Sequence, residues 1–343
     1  MGLKIALLMG GTSSERDVSL ASGIRIAEAL RTCGHEVLAI DPARGPISDA
    51  EQRALAGGKV VQTAPPSQEA LRRMARESLP SFASTLPRQG DVDVVFLGLH
   101  GGSGEDGTIQ ALLDLTGVPY TGSGHLASAL AMDKDLSKQL FRRADVTTAD
   151  WLMAPATADE VKTTLGFPVI VKPSKQGSTV GLSIVRSEAE LPAAIDEAFN
   201  FDDEVMVEGF IAGRELTVGI LGDVALPVGE IIPKHEIYDY ECKYTAGMAD
   251  ERFPAELTQR EAARVQDEAL RAFRALKLRG CARIDFRMMQ DGTFFCLEAN
   301  TLPGMTQTSL IPQAAAAAGI PFPELCDRIV RLALVPREGR GRV

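Results

Sequence analysis

Apolar and polar positions follow two different periods along this chain, and the switches between them mark its elements. The segment "KIALLMGG" (4–11) is a short apolar run closing on two glycines, which predicts a strand entering a turn. "DVSLASGIRIAEALRTCG" (17–34) repeats apolar residues at helical spacing and stops at Gly34, and "EVLAID" (36–41) predicts the next strand. Residues 45–90 carry no clear period. "DVDVVFLGLH" (91–100) then predicts a strand, "GTIQALLDLTG" (107–117) a helix and "VPYTG" (118–122) a short strand. Strands alternating with helices imply a parallel sheet covered by helices. Ligands of such sheets bind at the carboxyl ends of the strands, where Gly10, Gly11, His100, Gly101 and Gly102 fall.

The pattern changes from about residue 123. A helix containing "MDK" (132–134) leads to "FPVIVKPSKQGSTVGLSIV" (167–185), two strands around a glycine-containing loop, then a helix and "EVMVEGF" (204–210). Beyond it, hairpin-like strands and one long helix, "TQREAARVQDEALRAFRALKL" (258–278), predict an antiparallel α+β unit. The expected fold is therefore α/β followed by α+β, in three units: 1–122, 123–207 and 208–343. The basic tail "PREGRGRV" is expected to fray.

"CARIDFRMMQDGTFFCLEAN" (281–300) predicts a hairpin with a two-residue turn at Asp291-Gly292. In that register 290 faces 293, and Ile284, Phe286 and Met288 share a core face with Phe295, Leu297 and Ala299. The other face carries Arg283, Asp285, Glu298 and Asn300, with Asp285 directly opposite Glu298. Like charges so placed destabilise a ladder. Two carboxylates and an amide offer only hard oxygen ligands, which suit Mg²⁺ held jointly with substrate phosphates, and a bridging cation would remove the repulsion. The bland alternatives are a shared proton or a salt bridge to Arg283.

The 343 residues exceed one core, and 46 acidic against 36 basic residues give a net charge of −10. That balance argues against a general nucleic-acid binder. Five scattered cysteines without a C-x-x-C fit a reduced cytoplasm better than a disulfide framework or a zinc site. No secretion signal, myristoylation pattern or membrane span is expected.

Two glycine runs, Gly102-Ser-Gly104-x-x-Gly107 and Gly122-Ser-Gly124-x-x-Ala127, mimic a dinucleotide fingerprint, but the following strand lacks the acid such a site needs. "VKPSKQGSTVG" (171–181) carries more: Lys172 ends a strand, and Gly177, Ser178, Thr179 and Gly181 follow. Converging backbone N–H groups and a lysine suit phosphate, although a mobile hairpin tip has the same composition. His100 reads equally as a substrate contact or a satisfied loop histidine, and Glu15 as a first-turn acid favoured by the helix dipole. Lys243 and Tyr244 lie in the polar segment "YDYECKYTAGMADERFP", which is lid-like.

Taken in order, "GGTSSERDVSL", "HGGSGEDGTIQ", "PYTGSG", "MDK", "VIVKPSKQGSTVG", "YDYECKY", "RIDF" and "LEANTLPGMTQTSL" resemble the D-alanine–D-alanine ligases of the ATP-grasp superfamily, from residue 3 to about 325. The resemblance implies a three-domain ATP-grasp fold and ATP-dependent joining of two D-alanines through a D-alanyl phosphate, for peptidoglycan precursor synthesis. It implies Lys134 and Lys172 at ATP phosphates, Glu208 and Glu215 at adenine and ribose, and Ile211 also at the nucleotide. Asp285, Glu298 and Asn300 would hold two Mg²⁺ ions, replaceable by Mn²⁺. Arg283 and the N–H of Gly304 would stabilise the oxyanion. Glu15, with His100 nearby, would anchor the first alanine, and Ser178 and Tyr244 would hold the lid. Ser309, Leu310 and Lys243 would bind the second alanine's carboxylate, Lys243 also serving the nucleotide. A cytoplasmic homodimer without nucleic-acid or membrane partners completes the implication. Glu208-Gly209-Phe210 stands where the family often has Glu-Lys-Trp, and Leu302 where Ser is common.

Two other readings compete. A D-alanine–D-lactate ligase usually replaces the lid tyrosine, so Tyr244 argues for the dipeptide. An ATP-binding regulatory protein with a dead site would have lost one of Arg283, Asp285, Glu298 or Asn300, and all four are present.

Overall fold

The computed structural model describes residues 2–57, 73, 86–238, 242 and 247–335. The tail 336–343 and the two expected lid residues Lys243 and Tyr244 lie outside the described residues.

In the first unit β1 (Lys4–Leu8) lies between parallel neighbours β2 (Glu36–Asp41) and β4 (Val94–Leu97), with β3 (Gly45–Pro46) antiparallel on the β2 edge. Ile5 to Leu8 and all of β4 are buried, as strands covered on both faces must be, which is why they read as unbroken apolar runs. α1 (Arg16–Thr32) crosses between β1 and β2, α2 (Asp49–Ala56) follows β3, and α3 (Thr108–Thr116) follows β4. α1 presses close at Gly23, where a Cβ would overlap Met9. The expected strand at "VPYTG" shrinks to a single parallel bridge between Val95 and Tyr120.

The next sheet is antiparallel and runs β5 (Trp151–Met153), β8 (Val205–Gly209), β6 (Val169–Pro173), β7 (Ser183–Val185). α6 (Ala158–Thr164) and α7 (Leu191–Phe199) cover it through Val161, Leu191, Ala194 and Ala198. The boundary expected at 207/208 therefore falls inside β8.

The third sheet, also antiparallel, runs β12 (Ala249–Arg252), β11 (Gly229–Pro233), β9 (Arg214–Leu221), β13 (Cys281–Met288), β14 (Phe294–Asn300), with β10 (Val224–Ala225) paired to β9. α8 (Gln259–Ala275) starts from a Thr258–Glu261 capping box and lays Val265, Ala269, Ala272 and Phe273 on the sheet. α4 (His125–Met132) and α5 (Lys134–Arg143) add Ala127, Ala131 and Phe141 to that same core, although they precede the middle sheet in sequence. Between them Asp133 accepts from the Leu136 N–H at 3.0 Å and so starts α5 with Lys134 as its first residue. α9 (Leu310–Ala317) and α10 (Phe322–Leu334) close the fold, α10 packing on α1.

The β13–β14 hairpin corrects one expectation and keeps another. Met289 N–H donates to Thr293 O at 2.9 Å, and Gly292 takes φ +79, so the loop is three residues, 290–292, rather than two. Near the turn the pairing is consequently offset by one, with Phe286 opposite Cys296 and Met288 opposite Phe294. A bulge at Leu297 then absorbs the offset and restores the expected pairs Asp285–Glu298 and Arg283–Asn300. Phe294 and Cys296 thus take the core positions expected for Phe295 and Leu297, and Leu297 faces the cleft.

Candidate active site

Two adjoining clefts open where the three units meet. One, of about 900 Å³, is bordered by Glu15, His100, Asn300, Gly304, Ser309 and Leu310. The other, of about 950 Å³, is bordered by Lys172, Glu208, Ile211, Glu215 and Asp285. Lys134, Ser178, Tyr238, Arg283 and Glu298 line both, so the clefts share a wall. Every expected site residue that is described lies in one cleft or the other.

At the first cleft's acidic end, Glu15 is placed by the turn leading into α1. Ser178 Oγ donates to Glu15 Oε1 at 2.6 Å, tying the glycine loop between β6 and β7 to the first unit. Ser178 and Thr179 hold φ of +53 and +58, a left-handed conformation costing a non-glycine residue on the order of 1 kcal/mol or more. Gly101 holds φ +66, which strains any residue with a side chain, and a Cβ there would also come within 2.8 Å of Glu15 Oε2.

His100 lines the cleft with both ring nitrogens occupied by protein partners. Nδ1–H donates to Leu302 O at 2.9 Å and Nε2 accepts from Ser22 Oγ at 3.0 Å, so the ring offers the cleft only its carbons. Burial lowers its pKa, which keeps it neutral in this arrangement. Glu105 is the acid that sequence reading missed. It is buried on the cleft wall, and desolvation, then Glu15, raise its pKa to about 8. Its signal was available: "HGGSGED" sets a second carboxylate five residues after His100 at the same strand end.

The second cleft is lined by the cations Lys134, Lys172, Arg283 and Arg287 and by the carboxylates Glu208, Glu215, Asp285 and Glu298. Lys172 Nζ meets Glu208 Oε2 at 2.6 Å, while Lys138 Nζ meets Glu208 Oε1 and donates to Thr148 Oγ1 at 2.7 Å. Burial alone would raise the pKa of Glu208, but Lys172 and Lys138 outweigh it and bring it to about 2. Lys138 is fully buried, so of the two ammonium groups on Glu208 only Lys172 reaches the cleft wall. Lys138 was also missed in the sequence, although "MDKDLSK" places it four residues after Lys134 on one helix. Lys134 Nζ donates to Gln176 O at 2.7 Å and stands 3.3 Å from Glu298. Glu215 is paired with Arg287 at 3.2 Å.

The facing carboxylates are each met by a protein cation. Asp285 is gripped by the Arg283 guanidinium, Nε at 2.9 Å and Nη2 at 2.9 Å, and accepts from Thr217 Oγ1 at 2.7 Å. Glu298 leans toward Lys134. Each carboxylate therefore has its own protein cation, and the Asp285–Arg283 salt bridge stands beside the oxygen donors of Asp285, Glu298 and Asn300. Although burial disfavours its charge, Asp285 raises the Arg283 pKa, leaving a fixed cation in the shared wall.

Residues 4–123 match the family described as D-ala D-ala ligase N-terminus, and residues 135–331 the family described as D-ala D-ala ligase C-terminus. The D-alanine--D-alanine ligase of Syntrophotalea carbinolica is 43% identical over 327 residues, covering 95% of each chain. That of Geobacter sulfurreducens is 42% identical over 341 residues, covering 98% of this chain and 96% of the relative. Among solved structures, the D-alanine--D-Alanine ligase of Bacillus anthracis superposes with a TM-score of 0.74 at 33% identity, covering 97% and 98% of the two chains. The VanG D-Ala:D-Ser ligase of Enterococcus faecalis superposes with a TM-score of 0.78 at 29% identity, covering 97% and 100%. By sequence along nearly its whole length, this chain belongs to the D-alanine–D-alanine ligase family.

Proposed function

We propose that this chain joins two D-alanines at the expense of ATP, supplying D-alanyl-D-alanine for peptidoglycan precursors. The observation that carries the reading is the shared wall: a cleft bordered by Glu15 and a cleft bordered by Lys172 meet over one fixed guanidinium, Arg283. A similar ligase from Bacillus anthracis has been solved with ATP, which supports the nucleotide assignment.

A carboxylate anion is a poor electrophile, so the first D-alanine must be activated. Glu15 holds its ammonium, which leaves its carboxylate oxygen free to attack the γ-phosphorus while ADP departs. Lys134 and Lys172 hold the phosphates, with Glu208, Ile211 and Glu215 around the nucleoside. The donor set of Asp285, Glu298 and Asn300 is all oxygen and fits Mg²⁺; bound there, the ion would neutralise charge on the transferring phosphoryl group. The second D-alanine, its carboxylate at Ser309 and Leu310 by the start of α9, attacks the acyl carbon as a neutral amine. The C–N bond forms, the C–O bond to phosphorus breaks, phosphate leaves, and the nitrogen loses its extra proton. Arg283 and the Gly304 N–H face the oxyanion of the tetrahedral state, where fixed donors act most strongly. Lys243 and Tyr244 would complete the cover over both substrates. A cytoplasmic homodimer is part of the same proposal. Among the described residues no helix is long and apolar enough to cross a membrane.

The decisive assay measures phosphate release and products with each D-amino acid alone, in pairs, and with D-lactate or D-serine as second substrate. Dipeptide from D-alanine alone is expected. Depsipeptide or D-alanyl-D-serine as the dominant product would reassign the second substrate, and no ATP turnover at all would remove the ligase reading.

A further inference from the structure

Two side chains of α1 outside the substrate set hold the loop that follows β14. Ser22 Oγ accepts from the Met305 N–H at 3.2 Å, and Arg25 Nη1 donates to Met305 O at 3.0 Å. Ser22 and Arg25 are three residues apart, so both stand on one face of the helix. Ser22 also gives its hydroxyl proton to His100 Nε2, and the other side of that ring holds Leu302 O. Hence the Leu302–Pro303 peptide is fixed through His100, and the Gly304–Met305 and Met305–Thr306 peptides through α1. The Pro303–Gly304 peptide, which carries the Gly304 N–H, is fixed by its neighbours on both sides. Ser22, His100, Leu302 and Met305 are all buried, and Arg25 packs its guanidinium over Phe322 at 4.3 Å. The loop has little slack on its other flank, since a Cβ at Gly304 would stand 2.7 Å from Ser309 Oγ.

We infer that Ser22 and Arg25 are positioning residues that aim the Gly304 N–H at the oxyanion, so that the first unit completes the transition-state site of the third. This inference rests on the function proposed above. An N–H displaced by a fraction of an ångström loses most in the tetrahedral state, where the oxygen carries full charge, and least in ground-state binding.

The test uses Ser22→Ala, Arg25→Met and Arg25→Lys in the full chain, with a phosphinate analogue of D-alanyl-D-alanine as a tetrahedral probe. Ser22→Ala and Arg25→Met should each lower kcat about tenfold and weaken the phosphinate by a similar factor. KM for ATP and for D-alanine should stay within about twofold. Arg25→Lys keeps a charged donor and should recover most of the loss. Unchanged kcat, or a lowered kcat with undiminished phosphinate affinity, would overturn the inference. If Ser22→Ala does not fold, the two Arg25 variants decide alone. Wild-type protein that makes no dipeptide would remove the functional reading and this inference with it; wild-type synthesis with indifferent variants would remove the inference alone.

Discussion

Ser178 donates to Glu15 across 163 positions of sequence, and this 2.6 Å bond joins the glycine loop between β6 and β7 to the turn that leads into α1. The loop residue that makes it sits at φ +53, so the contact holds Ser178 in a conformation it would otherwise leave. Ser178→Ala should therefore cost activity more than stability. A fall of about 10- to 100-fold in kcat/KM is expected, with folding weakened by no more than the roughly 1.5–3 kcal/mol of a hydrogen bond to a charged group. Ser178→Gly relieves the backbone yet loses the bond, and should be as stable as wild type but equally slow. Steady-state kinetics alongside thermal unfolding check both, and a fully active Ser178→Gly would mean that the bond is incidental.

The two carboxylates of the β13–β14 hairpin should separate into different phenotypes. Asp285 is held by a guanidinium fork and a hydroxyl in a buried wall, whereas Glu298 is 30% exposed beside Lys134. Asp285→Asn leaves a buried Arg283 charge poorly compensated and should destabilise the metal-free protein by about 3 kcal/mol or more. Glu298→Gln should shift it by under about 1 kcal/mol. Both should lower kcat by orders of magnitude if the pair serves phosphoryl transfer. Equal stabilities for the two variants would contradict this division.

The residues that carry this contrast also show how far the sequence could be read. The Asp285–Glu298 pairing was legible because Asp291-Gly292 marks a turn and strands keep a period of two. Yet the loop is one residue longer and Leu297 bulges out, two offsets that cancel at the site and leave their trace only in Phe294 and Cys296. Neither offset has a composition of its own, so the pattern could not reveal them. Lys138 and Glu105 escaped for another reason. A lysine at zero exposure and a glutamate of raised pKa look like surface residues until their partners, Glu208 and Glu15, are known, and those partners lie 70 and 90 positions away. Ser22 is likewise an ordinary helix serine until Met305 is folded against it.

Glu105 gives a pH signature. Its carboxyl has a higher pKa folded, about 8, than the ordinary 4.5, so the folded state binds its proton more tightly. That contribution to stability is complete below pH 4.5 and is lost as pH rises toward 8. Glu105→Gln stays neutral throughout, so its melting temperature should gain on wild type between pH 5 and pH 8. A D-alanine ammonium bound at Glu15 would favour the ionised form, so D-alanine binding near pH 7 should release protons in wild type. Calorimetry in two buffers of different ionisation heat measures that release, and Glu105→Gln should abolish it. A pH-independent difference between variant and wild type would show that Glu105 titrates normally.

Lys138 is the sharpest test of the charge arrangement around Glu208. Glu208 is clasped by Lys138 on one oxygen and Lys172 on the other, both out of water. If Lys172 turns toward a phosphate, Glu208 keeps a partner only because Lys138 remains. Without Lys138, moving Lys172 would strand a buried carboxylate, a cost of several kcal/mol that would keep Lys172 where it is. Lys138→Met should therefore raise KM for ATP by about tenfold or more while KM for D-alanine changes little. The folded protein should lose less than the ~3–5 kcal/mol of a broken buried pair, because Lys172 still compensates Glu208. Lys138→Arg keeps the charge and should restore much of the ATP affinity, which a pure packing role would not require. Acid unfolding gives a second reading. The depressed pKa of Glu208 contributes stability that is present above pH 4.5 and lost as pH falls toward about 2. With one cation gone that pKa must rise, so Lys138→Met should unfold at a higher pH than wild type. Wild-type KM for ATP in Lys138→Met would mean that Lys172 needs no substitute at Glu208.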